Sequence, residues 1–161
     1  MDNFKGRLTK DGIRIHAPQD FAAMHRAGRV AAKILDNVAE LVFPGTTTSA
    51  IDAAIEARIK ATGAISATIG YRGYQHASCI SVNHVVCHGI PGPKILKDGD
   101  ILNIDVTVIV DGWFGDTSRM FVAGKPNRKA ARLIQVTHDA LCKGIEAVKP
   151  GATFGDIGHV I

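Results

Sequence analysis

Residues 103–121 read NIDVTVIVDGWFGDTSRMF, and this stretch decides how the 161-residue chain folds. Two runs rich in β-branched and aromatic residues flank the dipeptide Asp111-Gly112. An Asp-Gly pair between two such runs is a strong signal for a two-residue β-hairpin turn. The pattern therefore predicts a long hairpin in which Val110 pairs with Trp113, and it assigns Asp111 to the turn.

Two acidic residues of this hairpin, Asp105 and Asp116, are predicted to share one face. The register places Thr107 opposite Asp116, and side chains alternate between the faces of a strand, so Asp105 lies on the same face as both. Carboxylates held that close repel each other, and their pKa values rise unless a cation or a proton relieves the charge. A divalent ion such as Mn, Fe, Co, Zn or Mg is the simplest relief. A solvent-facing hairpin with ordinary acidic residues fits the spacing equally well.

Helical patterns lie on both sides of the hairpin. Pro18 suits the first turn of a helix that is predicted to end at Pro44-Gly45. Its expected buried face carries apolar or small residues at spacings of three and four, namely Phe21, Met24, Gly28, Ala31, Leu35, Val38 and Val42. Thr48 is predicted to cap a second helix, with a buried stripe at Ile51, Ile55 and Ile59 and a left-handed end at Gly63. Asn127 and Thr153 are predicted to start two more helices.

Between these helices, short β-rich runs predict a sheet. They read SATIGY, SCISVN, HVVCHGI, DILNIDVTVIV and WFGDTSRMFV. A weak internal repeat places residues 42–55 over residues 148–161 at an offset of 106. If the first unit consists of helices followed by strands, the second unit is expected to contain the helices in this chain and to lack the strands.

Composition limits the class of protein. The chain is 46% hydrophobic and 21% charged, which is typical of one globular domain, and no apolar run reaches the ~20 residues of a membrane span. With no secretory signal pattern, a cytoplasmic location is expected. The three cysteines are expected to stay reduced thiols. A net charge of +4 without aromatic interleaving favours solubility over specific nucleic-acid binding.

The motifs together resemble the type I methionine aminopeptidase family. The contexts N-I-D-V-T and G-D-T-S around Asp105 and Asp116 are similar to those of that family's first two metal ligands, and VCHGIPG resembles its histidine motif. GYRGY and SCISVN match as well, in the same order, and the resemblance runs from about Pro18 to the last residue. It implies an α+β "pita-bread" fold, with helices outside a curved antiparallel sheet. This chain would supply one half of that fold and the opening helices of an incomplete second half, as one partial catalytic domain over residues 1–161 with an extension at 1–17.

The resemblance also implies roles for individual residues. Asp105 would chelate one of two divalent metal ions, and Asp116 would bridge both. His88 would be the catalytic histidine that contacts the substrate near the scissile amide. Tyr71, Tyr74 and Cys79 would line the pocket for the methionine side chain, although core packing explains them equally well.

The implied activity is removal of the initiator methionine from nascent proteins when the second residue is small, with ribosomes as transient partners and no membrane partner. The family's three further ligands, one histidine and two glutamates, have no match here, and His159 lies in a different context. This chain supplies only two of the expected ligands, so weak metal binding and little peptidase activity of the chain alone are expected. Two alternatives are an X-Pro metallopeptidase of the same fold and an inactive module that binds peptide or RNA.

Overall fold

A four-stranded antiparallel sheet, built around the predicted hairpin, carries the helices of the larger part of the molecule. The computed structural model describes residues 6–161. Its strands are β1 (Arg7–Leu8), β2 (Arg14–Ile15), β3 (Ile65–Ser66), β4 (Ser78–Val82), β5 (Ile101–Val110) and β6 (Trp113–Val122). Its α-helices are α1 (Pro18–Val38), α2 (Thr48–Ala61), α3 (Arg128–Ala147) and α4 (Phe154–Val160).

The chain divides into two compact units, with the boundary after Gly124. The prediction of one partial catalytic domain over residues 1–161 stays a prediction. Within the predicted extension, β1 and β2 pair as a small antiparallel ladder, and residues 1–5 lie outside the described residues.

The hairpin forms in the predicted register. Val110 pairs with Trp113 and Thr107 with Asp116, as the two-residue turn requires. The turn residues Asp111 and Gly112 both have positive φ, 51° and 82°, which is the backbone of a type I′ turn. Strand β5 is central, because β6 follows one of its edges along its whole length while β4 and β3 share the other edge.

The two faces of β5 differ in character. Its even-numbered side chains Leu102, Ile104, Val106 and Val108 are fully buried in one core with the apolar faces of α1 and α2. Each such side chain contributes about 1.5–3 kcal/mol of burial free energy. The odd-numbered side chains, which include Asp105 and Thr107, point to the other face. The helices therefore cover one face of the sheet, and the acidic residues lie on the opposite face.

Helix α1 starts at Pro18 as predicted, but two predicted core residues are exposed. Phe21 is 60% and Met24 is 56% exposed. The buried stripe begins only at Ala27, where the backbone of α1 lies directly against Gly115 of β6. Phe21 and Met24 precede that contact, so their apolar spacing does not bring them into the core.

The ends of the first two helices differ from prediction by a few residues. Helix α1 ends at Val38 and tightens into a 3₁₀ turn over Ala39–Leu41, short of the predicted Pro44-Gly45. Helix α2 is capped by Thr47, whose side chain accepts from the Ala50 N–H, and not by Thr48. Its buried Ile stripe and the left-handed Gly63, at φ 73°, are confirmed.

Two of the predicted strands are mostly loop. The segment HVVCHGI, residues 84–90, forms no strand, because Asn83 and His88 both have φ near 54°, which interrupts an extended backbone. Of SATIGY, residues 66–71, only Ser66 belongs to a strand, the two-residue β3, and the left-handed Gly70 leads into a 3₁₀ turn over Tyr71–Gly73. These loops lie beside the acidic face and shape it.

The second unit, Lys125–Ile161, is a helix pair. Asn127 caps α3 and Thr153 caps α4, both as predicted. The two helices pack closely at Gly144, where an added Cβ would lie 3.2 Å from a side-chain carbon of Ile161. Across residues 6–161, no helix is long and apolar enough to cross a membrane. The three cysteines are free thiols, as expected.

Candidate metal centre

The carboxylates of Asp105 and Asp116 lie on the same face of the hairpin. The register puts Asp105 opposite Ser118 and Asp116 opposite Thr107, so the two acids are diagonal neighbours. Thr107 orients the second acid, since its hydroxyl donates to a carboxylate oxygen of Asp116 at 3.0 Å. The type I′ turn sets the register of the hairpin, and the register sets the relative position of the two carboxylates.

The electrostatics of Asp105 match the sequence argument. Partial burial raises the pKa of Asp105 above its ordinary value, and the neighbouring Asp116 carboxylate raises it further. The nearby imidazole of His88 partly offsets this rise in pKa. A bound cation on this face would stabilise both acids in their ionised form. The donor set therefore fits a divalent cation.

His88 reaches this face from the loop after β4. Its neighbour Gly89 lies so close to β4 that an added Cβ would overlap the Ile80 carbonyl group. Two hydrogen bonds hold the loop there: the Ile80 N–H donates to the Gly89 carbonyl at 2.8 Å, and the Gly89 N–H donates to the Ser81 hydroxyl at 3.0 Å. With the left-handed backbone of His88 itself, these contacts place the imidazole near Asp105.

Cys79 and Tyr74 form a wall next to Asp105. Cys79 pairs with Asp105 across the β4–β5 ladder, and the Tyr74 hydroxyl lies 3.6 Å from its sulfur. The same hydroxyl donates to the Ser78 carbonyl at 2.8 Å. Burial raises the pKa of the Cys79 thiol and, more strongly, the pKa of Tyr74. Both groups are therefore neutral at physiological pH, which suits a lining for a thioether better than a nucleophilic thiolate.

An acid that sequence reasoning missed anchors this wall. Asp52, on α2 and only 7% exposed, accepts two hydrogen bonds from Ser78, one from its N–H at 2.9 Å and one from its hydroxyl at 2.7 Å. Its other carboxylate oxygen lies 3.1 Å from a ring nitrogen of His76. The sequence signal that could have located Asp52 is a charged residue beside the apolar Ile51 in a predicted buried stripe.

The structure does not bring every predicted residue to this cluster. Tyr71 is 64% exposed, and its ring contact is with the Arg72 guanidinium, 5.5 Å from the ring centre. Asp111, which the sequence assigns to the turn and not to the site, is exposed there and lies 3.8 Å from Arg26. Asp105, Asp116, His88, Cys79 and Tyr74 therefore form the candidate site, and their roles stay predictions.

Within residues 6–161, no group of three or more His, Cys, Asp or Glu side chains is arranged to hold a metal ion. Asp105 and Asp116 are thus candidate ligands only, and they do not form a complete metal site among the described residues. An antiparallel sheet with helices on one face and a carboxylate pair on the other defines the class, which is the pita-bread fold predicted from the motifs.

The chain belongs to the metallopeptidase family M24, whose model matches residues 22–161. It is 52% identical over 149 residues to a methionine aminopeptidase of Rickettsia prowazekii, covering 92% of this chain and 58% of that protein. It is 47% identical to a methionine aminopeptidase of Escherichia coli K12, covering 92% and 57%. The chain therefore spans a little under three fifths of the length of these relatives.

Solved structures agree with the sequence matches. The crystal structure of the Rickettsia prowazekii methionine aminopeptidase superposes with a TM-score of 0.90, covering 92% of this chain and 60% of that one at 52% identity. The Thermotoga maritima methionine aminopeptidase gives 0.88 with the same coverage at 35% identity. A prolidase from Pyrococcus furiosus, 23% identical, gives 0.79 over 89% of this chain and 41% of that one, and it shares the fold. The fold class and the resemblance to methionine aminopeptidases are both confirmed.

Proposed function

We propose that this chain forms part of a metal-dependent aminopeptidase that removes the initiator methionine from nascent polypeptides whose second residue is small. The observation that carries the proposal is the cluster of Asp105, Asp116 and His88 on the open face of the hairpin. The 52% identity to a protein named methionine aminopeptidase supports this reading over a prolidase, which is more distant in sequence.

Asp105 and Asp116 are the residues that would hold the metal. Their oxygen donors suit Mn, Fe, Co or Zn, and Thr107 keeps the Asp116 carboxylate in place. A bound pair of divalent ions supplies an activated water and polarises the scissile carbonyl. The two acids are thus predicted to be two of the ligands of such a centre.

The other residues bind and orient the peptide. His88, near Asp105, would contact the substrate beside the scissile amide, where an imidazole nitrogen can donate or accept a proton. The Tyr74 and Cys79 side chains would contact the methionine side chain, while Asp52 holds the start of β4 in place through Ser78. Tyr71, exposed at the rim, would contact the peptide only from outside this wall.

The proposed substrate implies partners and a location. A nascent chain carries its initiator methionine at the ribosome, so transient ribosome association in the cytoplasm is part of the proposal. The net charge of +4 would favour such a polyanionic neighbour.

A chimaera tests the proposal. Residues 1–161 would replace the matching part of the Rickettsia prowazekii enzyme, and release of methionine from Met-Ala-Ser would be compared with cleavage of an X-Pro peptide in added Mn or Co. We expect methionine release that is lost in Asp116→Asn and retained in Asp111→Asn, the exposed turn acid. A folded, metal-binding chimaera that leaves Met-Ala-Ser intact would contradict the proposal and favour the inactive module. Cleavage of the X-Pro peptide alone would favour the prolidase-like alternative.

A further inference from the structure

An open groove of about 570 Å³ lies between α1 and α2 beside the hairpin turn, and four of its eleven lining residues are arginine or lysine. We call it the basic groove and define it by Arg26, Arg29, Lys33 and Arg58. Its floor is apolar, formed by Val30, Ile34 and Val110 among others. Asp111, at the hairpin turn, is the one carboxylate among its lining residues.

The positive charge of the groove is only partly neutralised. Arg26 lies 3.8 Å from Asp111, and Arg58 lies 3.6 Å from Glu40. Within residues 6–161, neither Arg29 nor Lys33 has a carboxylate at ion-pair distance. Cations gathered in a concave surface repel one another, and the field they produce attracts a polyanion. The charge of the groove therefore favours a ligand that carries several negative charges.

The basic groove is separate from the candidate metal centre. Val110 is an even-numbered residue of β5, so it belongs to the face that the helices cover. Asp105 and Asp116 lie on the other face of the same sheet. A ligand in the groove would thus leave the acidic face open, and its binding does not depend on the proposed peptidase activity.

The spacing of the cations favours phosphates in a row. Arg26, Arg29 and Lys33 follow each other at three and four residues on one face of α1, which spreads them over about 10 Å of helix. Arginine forks and lysine ammonium groups are the usual partners of phosphate oxygens. A single small anion would engage only part of such a row.

The lining also indicates which phosphate polymer fits. Among the lining residues of the groove, all of them in the described part of the chain, none is aromatic. Single-stranded nucleic acids are bound largely by stacking of bases on aromatic rings, whereas double-stranded RNA is recognised by its shape and its phosphates. We propose that the basic groove binds the phosphate backbone of double-helical RNA without reading its sequence.

The test uses a fluorescently labelled 20-base-pair RNA duplex and measures binding by anisotropy at several salt concentrations. The groove variant is Arg29→Gln with Lys33→Gln. The matched control, Lys129→Gln with Arg132→Gln on the exposed surface of α3, lowers the net charge by the same amount. Circular dichroism is used to check that both variants fold. We expect both to fold, because all four replaced side chains are exposed.

We expect the groove variant to bind RNA at least tenfold more weakly and to lose about two units of the slope of log K against log salt, one for each phosphate contact. The control should stay within about threefold of the parent. Equal losses in the two variants would show that net charge alone drives binding and would overturn the proposal. So would preferential binding to polyglutamate, to phosphatidylserine vesicles or to single-stranded RNA of the same length.

Discussion

Replacing Asp105 by asparagine is expected to stabilise the metal-free protein at neutral pH. Asp105 is half-buried and lies diagonally across the ladder from Asp116, so its ionised form costs both solvation and repulsion. Asparagine has nearly the same shape and no charge. The gain in stability would measure the free-energy cost of holding these two carboxylates close together in the folded protein.

The size of the gain follows from the geometry. Diagonal neighbours lie about 7 Å apart, where two unit charges repel by about 2.4 kcal/mol at an effective dielectric constant of about 20 and by about 0.6 kcal/mol in water. Because Asp116 is exposed, solvent screens the pair, and a value of about 1 kcal/mol is expected.

The sign of the pH dependence is set by the raised pKa of Asp105. A carboxyl group whose pKa is higher in the folded state than in the unfolded state favours folding only while it is protonated. Its contribution is full below the unfolded pKa of about 3.9 and is lost as the pH rises through the folded pKa. The advantage of Asp105→Asn should therefore be absent near pH 3 and should grow to a plateau above the folded pKa.

Urea denaturation in EDTA, at several pH values, measures this difference. The same substitution in an Asp116→Asn background is the control, and there the gain should fall to the smaller contribution from burial. Excess Mn should reverse the order, because the parent protein gains stability from a bound ion and the variant does not. An Asp105→Asn protein that is less stable than its parent in EDTA at pH 7 would refute the repulsion argument.

Three further predictions concern the packing around the sheet. Gly115→Ala should lower the free energy of unfolding, measured by urea denaturation, by about 2–3 kcal/mol, because the new methyl group would overlap the carbonyl of Ala27 in α1. An unchanged free energy of unfolding would mean that the helix shifts freely. Thr47→Ala should cost about 1 kcal/mol through loss of the α2 cap, whereas Thr47→Ser should keep it. Asp52→Ala should cost about 3 kcal/mol in the same assay, since it leaves the buried Ser78 hydroxyl and N–H without their acceptor, and a loss below about 1 kcal/mol would show that another group replaces it.

The sequence predicted best those features whose signals are local. The dipeptide Asp111-Gly112 defines both the turn and the register, and the register alone brings Asp105 and Asp116 together. The sequence signals for helix caps are equally local. Thr153 starts α4, and Thr47 starts α2 one residue before the predicted position.

The weak internal repeat is also local, and its conformations coincide. At the offset of 106, Gly45 and Gly151 both have positive φ, 100° and 90°, and Thr47 and Thr153 both cap the helix that follows. A left-handed glycine two residues before a threonine cap is thus used in both units. The agreement concerns the connection between helices, which a short pattern can encode.

The errors occur where a residue's environment comes from a distant part of the chain. Phe21 and Met24 follow the periodicity of a buried face, but periodicity does not say how far the covering sheet extends along the helix. The run HVVCHGI has the composition of a strand, but the backbone turns just before it, at Asn83, and again within it, at His88. Composition reports the preference of a residue for burial or extension and carries no information on its neighbours in space.

The supporting contacts of the site show why such information is missing. Asp52 binds Ser78, which lies 26 positions later in the chain. Gly89 lies against Ile80 of the preceding strand, and Gly115 contacts a helix residue almost 90 positions earlier. A glycine within a β-rich run signals a close approach but does not identify what approaches. The two candidate metal ligands can therefore be identified from the sequence of one hairpin, whereas the residues that hold their surroundings in place are identified only in the folded chain.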